Sequence, residues 1–190
     1  MPMHKLLPLL ALVMLASTPA FAADWNPGPP NLGKPVSQSD IARWDIEILA
    51  DGTGLPPGEG TAAQGAPLFA AKCSACHGDG GRGTDLAKSG KPAPPILVSD
   101  IKLKGMDESR VTIANYWPYA PPLFDYIRRA MPWNEPRSLT DHEVYALTAY
   151  ILAESKVIDP KQAINAKTLP KVRMPNRDGF LPRFPDLMPH

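Results

Sequence analysis

The chain has 190 residues, 24 of them proline and 2 cysteine, with 20 Lys and Arg against 19 Asp and Glu. Proline at more than twice its usual share of about 5% excludes a bundle made only of long helices or a large central sheet, because each proline fixes φ and removes a backbone donor. A 44% hydrophobic, 21% charged composition excludes general disorder, and two cysteines exclude a disulfide-dense scaffold.

The chain opens on a leader. Lys5 precedes an apolar run over 6–15 broken only by Pro8, and Ala20-Phe-Ala22 offers a small-residue cleavage site. This pattern predicts a secretory signal peptide at 1–22, cut after Ala22 or Ala23. The run falls far short of the roughly 20 residues that span a bilayer, so an exported, periplasmic protein with no membrane span is expected. Residues 23–60 read as an N-terminal extension rich in Pro and Gly, ordered only around Ile41, Trp44, Ile46 and Ile48. Between 24 and 59 there are six acidic and two basic residues, and between 155 and 190 seven basic and three acidic. These charges are spread among prolines rather than clustered, which points away from nucleic acid and toward solvated or protein-docking arms.

A domain at 61–155 follows, and its signals are helical. Thr61-Ala-Ala-Gln64 fits a capping box, in which the Thr oxygen accepts from a first-turn amide and the Gln reaches back; a helix from 62 to about 72 is expected behind it. Asp107 is a plausible N-cap for a helix over 108–115. Pro122 fits the first turn of a helix over 123–130. Thr140-Asp-His-Glu143 is a second capping box, opening a helix over 143–154 with Val144, Leu147 and Ile151 on one face. Without alternating strand patterns, the domain reads as all-α. Residues 156–190 form a proline-rich C-terminal extension. Neither extension has enough periodic apolar sequence for a core of its own, so each is expected to lie on the central domain or on a partner. Loss of the tail is expected to leave the cofactor environment nearly intact.

Both cysteines fall in Cys73-Ser-Ala-Cys76-His77, the Cys-x-x-Cys-His signature of covalent haem attachment. Two thiols separated by two residues can reach both vinyl groups of one porphyrin, and the next residue then presents its imidazole to the iron. A zinc site would need further ligands and the chain has no other Cys; a redox Cys-x-x-Cys would need a βαβ context. The adjacent Gly78-Asp-Gly-Gly-Arg-Gly83 matches a dinucleotide fingerprint letter for letter, but no strand precedes it. These glycines are expected to let the backbone pass close to the porphyrin edge.

The sixth iron ligand must be a thioether or imidazole. Beyond the leader the candidates are Met106, Met131, Met174, Met188, His142 and His190. His142 sits in a capping box, where solvent exposure is the default, and Met174, Met188 and His190 lie in the tail. Met131, at the end of a helix in Arg-Arg-Ala-Met131-Pro132, is the preferred ligand and Met106 the next.

The order of helix, Cys-x-x-Cys-His, Pro-bearing loop, two short helices, Met-Pro and final helix resembles a class I cytochrome c over 61–155. The resemblance implies one covalently attached haem c held by Cys73 and Cys76, with His77 and Met131 as axial ligands. It also implies that the first and last helices cross at Gly65 and Phe69 against Tyr145, Ala149 and Leu152. The carbonyl of Pro95 or Pro94 would accept from the axial His. Three flanking stretches, Trp44-Asp-Ile-Glu-Ile, Asn115-Tyr-Trp-Pro-Tyr119 and Pro175-Asn-Arg-Asp-Gly-Phe180, are similar to the cytochrome subunits of sulfite and sulfane dehydrogenases, including the SoxD type. That implies an electron-transfer subunit with no catalytic residues of its own, taking single electrons from a molybdenum-containing dehydrogenase subunit and passing them to a soluble cytochrome. A free-standing carrier feeding a terminal oxidase or another periplasmic dehydrogenase is the alternative.

Overall fold

The computed structural model describes residues 32–85, 94–101, 103 and 111–181. The stretch expected to be a leader, Met106, Met188 and His190 lie outside them. The chain divides into two units, Met1–Ile41 and Ala42–His190. A short helix, α1 (Gln38–Ala42), runs across the division between them, its start fixed by Ser37 Oγ accepting from the Asp40 amide at 3.2 Å.

In the second unit the capping boxes place the helices. Thr61, in extended conformation, accepts from the Gln64 amide while Gln64 Oε1 takes the Thr61 N–H at 2.9 Å, and α2 (Ala62–Lys72) runs from there. Thr140 and Glu143 repeat the arrangement, with a 2.8 Å bond from the Thr140 amide, at the head of α6 (Asp141–Glu154). Between them lie α3 (Ser74–His77), α4 (Ile113–Tyr116) and α5 (Pro121–Ala130), the last with proline in its first turn. The helix expected behind Asp107 differs in its described part. Thr112 is extended and caps α4 through a further box with Asn115, so the helix begins at Ile113, not before. Residues 104–110 lie outside the description.

Among the described residues the fold is all-α apart from one two-residue antiparallel pair, β1 (Glu59–Gly60) with β2 (Ile164–Asn165), in which Gly60 faces Ile164. Helix α6 is the centre of the core. Val144, Tyr145, Leu147, Ala149 and Leu152 on it are all buried, with Phe69 from α2 and Leu123, Phe124 and Ile127 from α5 around them. Glycine makes the α2–α6 crossing: a Cβ at Gly65 would lie 2.7 Å from Tyr150 Cβ and closer still to the Ala146 carbonyl oxygen. The face of α6 that meets Gly65 therefore carries Ala146 and Tyr150, and Phe69 packs on Tyr150 with ring centroids 5.0 Å apart. Tyr145, expected at this crossing, instead stacks on Phe124 at 4.4 Å and donates to Pro56 O at 2.8 Å.

The tail lies on the central domain, one of the two places expected for it, and enters its core. Ile164, Leu169 and Met174 are fully buried and Val172 nearly so, all within the same core cluster as Phe69 and Leu152. Residues 164–174 are thus pinned to the core at these four positions rather than a solvated arm. On the N-terminal side Ile48 is buried in that cluster while Trp44 stays exposed. Among the described residues no helix is long and apolar enough to cross a membrane.

Candidate haem-attachment site

The signature forms one compact corner. Helix α2 ends as the Cys73 amide bonds Phe69 O at 2.9 Å, and α3 restarts at once with the His77 amide on Cys73 O at 2.9 Å. The two thiols and the imidazole consequently share a single turn. Both cysteines are free; Cys73 is half-buried against the core and Cys76 exposed. Burial pushes the Cys73 thiol up to about 11, with Cys76 raising it further and Lys72 opposing. Among the described residues no group of three or more His, Cys, Asp or Glu side chains could hold a metal ion.

His77 is buried, and its Nδ1 lies 3.0 Å from Pro95 O. A carbonyl oxygen can only accept, so Nδ1 carries the proton and donates, leaving the Nε2 lone pair for a metal. Of the two prolines considered from the sequence, Pro95 is the partner. The glycine turn explains how its carbonyl comes so close. Gly78 has φ 77° and Gly81 φ 74°, values that favour glycine. The turn closes with the Gly83 amide on His77 O at 2.8 Å. Gly81 O then accepts both the Leu97 and Val98 amides, at 2.9 and 3.1 Å. This pair of bonds, which residue types alone do not reveal, draws the Pro95 loop onto His77. A Cβ at Gly81 would meet Val98 Cγ2 at 3.0 Å and Phe69 Cζ at 3.3 Å, so the turn packs directly on the core. Arg82 and Lys156 tie the loops to the end of α6 and beyond, through Glu154 at 3.6 Å and Asp100 at 2.7 Å.

The donor set fits haem c: two free thiols at the required spacing, a histidine fixed in the Nδ1–H tautomer, and an apolar wall of Phe69, Leu97 and Val98. Thr84 Oγ1, seven residues beyond His77, is buried with no hydrogen-bond partner among the described residues.

Met131 stands on a different element. It is the C-cap of α5, extended at φ −119° and ψ 144°, with its amide on Ile127 O at 3.1 Å. It packs, partly buried, on the same core that Cys73 borders. Met174 is 1% exposed inside the core, where burial explains it as a packing residue. His142 is exposed as expected, and its Nδ1 is engaged by β1, 2.9 Å from Glu59 O and 3.3 Å from the Glu59 amide.

Comparisons with known proteins bear on the family and the fold. Residues 60–151 match the model of the family described as cytochrome C oxidase, cbb3-type, subunit III. Over 106 residues, 56% of this chain, it is 28% identical to the thiosulfate dehydrogenase of Stutzerimonas stutzeri (strain A1501) and spans 31% of that protein's length. A solved structure, the sulfane dehydrogenase SoxCD from Paracoccus pantotrophus, superposes with a TM-score of 0.71 at 31% identity, over 84% of this chain and 75% of that one. With its helical fold, Cys-x-x-Cys-His corner and Pro95-oriented histidine, the chain belongs to the class I c-type cytochromes, in the SoxD-like group related to sulfane dehydrogenase.

Proposed function

We propose that this cytochrome is the haem-bearing electron-transfer subunit of a periplasmic sulfur-compound dehydrogenase. It would take single electrons from a molybdenum-containing catalytic subunit and hand them to a soluble cytochrome. The signal-peptide pattern at 1–22 supports export, and the SoxCD and thiosulfate dehydrogenase relatives support the sulfur assignment. In this reading residues 61–155 are the cytochrome domain, 23–60 and 156–190 its extensions, and the chain carries one haem.

Haem c, when bound, supplies a one-electron ferric/ferrous couple whose potential follows its axial ligands and surroundings. Cys73 and Cys76 would hold it covalently. His77 would offer Nε2 to the iron, kept in orientation and made more basic by the Nδ1–H to Pro95 bond. Met131 would offer its thioether as the second protein ligand, which would favour the reduced state. Held by two protein ligands, the iron would leave bond-making on sulfur to the partner. The observation that carries this reading is the 3.0 Å His77–Pro95 bond one turn from the paired thiols, because it leaves the imidazole only one free nitrogen.

The test is to isolate the tagged protein from its native host and measure molybdenum and iron together, then follow the visible haem bands on adding sulfite, thiosulfate or a sulfane. Co-purifying molybdenum and reduction by a sulfur substrate are expected. A protein free of molybdenum that ascorbate reduces but no sulfur compound does would favour the free-standing carrier. Met131→Ala should abolish the thioether-dependent far-red band and lower the potential.

A further inference from the structure

The C-terminal segment contacts one place outside its own fold with three kinds of interaction, and that place leads directly to Met131. Asn176 Nδ2 donates to Tyr116 O at 2.8 Å. Tyr116 is the last residue of α4, so its carbonyl has no partner within the helix and the tail amide caps it. The Phe180 ring meets the Tyr116 ring edge-on with centroids 5.2 Å apart, and the Arg177 guanidinium lies 4.0 Å over the Tyr119 ring. Trp117, between these two tyrosines, packs edge-on against Tyr126 of α5 at 6.3 Å.

The strap is itself anchored. Val172 and Met174 are buried in the core, and the turn beyond them is closed by the Arg177 amide on Met174 O and the Gly179 amide on Asn176 O, both at 3.1 Å. Only residues 117–120 separate α4 from α5, and α5 is a rod of about 15 Å at 1.5 Å per residue whose C-cap is Met131.

We propose that residues 172–181 are a positioning strap for the sixth ligand. Through Asn176, Arg177 and Phe180 they fix residues 116–119 and so the start of α5, which sets where Met131 stands. The proposal rests on Met131 being the ligand. It assigns the contact of Asn176 with Tyr116 a role in ligand retention that neither the haem signature nor the family likeness implies. The physical warrant is a continuous set of packed contacts, Asn176 and Phe180 on Tyr116, Trp117 on Tyr126, Tyr126 and Met131 on one short helix.

The test uses the full-length, haem-loaded, oxidised protein in four forms beside the parent: Asn176→Asp, Asn176→Gln, Gly179→Ala and Met131→Ala. Asn176→Asp keeps the size and removes the donor, while Asn176→Gln retains one. Gly179→Ala leaves the Asn176 amide chemically intact but displaces it, since a Cβ there would fall on Asn176 Oδ1 and lie 2.7 Å from its Cγ. Each is titrated with imidazole, which competes for the sixth position, and its far-red thioether band and melting temperature are recorded. Loosening the ligand by the net worth of one hydrogen bond should tighten imidazole binding about five- to tenfold in Asn176→Asp and Gly179→Ala, with a weakened band and Asn176→Gln nearer the parent. If Met131→Ala loses the band while both tail variants bind imidazole as the parent does, even with a lowered melting temperature, the strap is structural only and the proposal falls alone. If Met131→Ala keeps the band, the ligand assignment falls and takes the proposal with it.

Discussion

Gly65→Ala should destabilise the protein, although the same change in an exposed helix is stabilising. Replacing Gly by Ala inside a helix ordinarily gains about 1 kcal/mol of propensity. At Gly65 the new Cβ would stand 2.7 Å from the Ala146 carbonyl carbon and from Tyr150 Cβ, and closer to the Ala146 oxygen. Comfortable carbon contacts need about 3.5–4.0 Å, so α2 and α6 must separate by about 1 Å. Backbone cannot rotate out of the way as a side-chain tip can, which puts the cost near the top of the roughly 1–3 kcal/mol typical of overpacking, or above it. Set against the propensity gain, about 2 kcal/mol is lost. For a chain of this size that lowers the melting temperature by about 4–8 °C. The assay is thermal unfolding of the haem-loaded protein followed by circular dichroism. Ala63→Gly, at an exposed position of the same helix, serves as the control that loses propensity alone. An unchanged or raised melting temperature for Gly65→Ala would refute the crossing described here, and with it the route by which α2 delivers Cys73 to the core.

Two further outcomes follow from buried groups. Removing residues 164–181 strips Ile164, Leu169 and Met174 from the core; at about 1.5–3 kcal/mol each the loss rivals a whole domain's stability of about 5–15 kcal/mol. The truncated chain should melt far below the parent or fail to accumulate with haem, and a truncated protein with a parent-like melt and spectrum would contradict the buried tail. Burial pushes the Tyr145 phenol up to about 12, with Asp141 raising it further and Arg128 opposing. The unfolded chain gives up this proton near its ordinary value of about 10 while the folded chain keeps it, so the contribution is present below pH 10 and is lost as pH rises toward 12. Tyr145→Phe should cost stability at neutral pH, through the lost bond to Pro56 O, and flatten the alkaline fall in melting temperature; an equally steep fall in the variant would point to another group.

Much of the site is legible in the residues because its rules are local. Thr61 with Gln64 and Thr140 with Glu143 set helix starts through bonds three residues apart, and the Cys-x-x-Cys-His turn needs only α-helical geometry. Pro95 was reachable only through the family resemblance, which left it open beside Pro94. What failed to show depends on tertiary contact. Nine residues of α6 are buried, from Val144 to Ala153 with only Tyr150 excepted, so the helix is enclosed nearly all round. Its apolar pattern then cannot say which side meets Gly65, and Tyr145 looked as suitable as Ala146. The tail was hidden for the opposite reason. Ile164, Leu169 and Met174 are buried singly in irregular chain between prolines, with no period of 2 or 3.6 to betray them. The two hydrogen bonds that the Leu97 and Val98 amides donate to Gly81 O are backbone chemistry, invisible in side-chain identity.

The central claim is a haem fixed to this corner of the chain through two thioethers, and the most direct measurement is the mass of the denatured protein and of its proteolytic peptides. One haem should remain on the unfolded chain, on the peptide that contains Cys73 and Cys76, and stay there through acid-acetone extraction. Haem that leaves the wild-type chain under extraction, or that is found attached to any peptide lacking Cys73 and Cys76, would contradict the account.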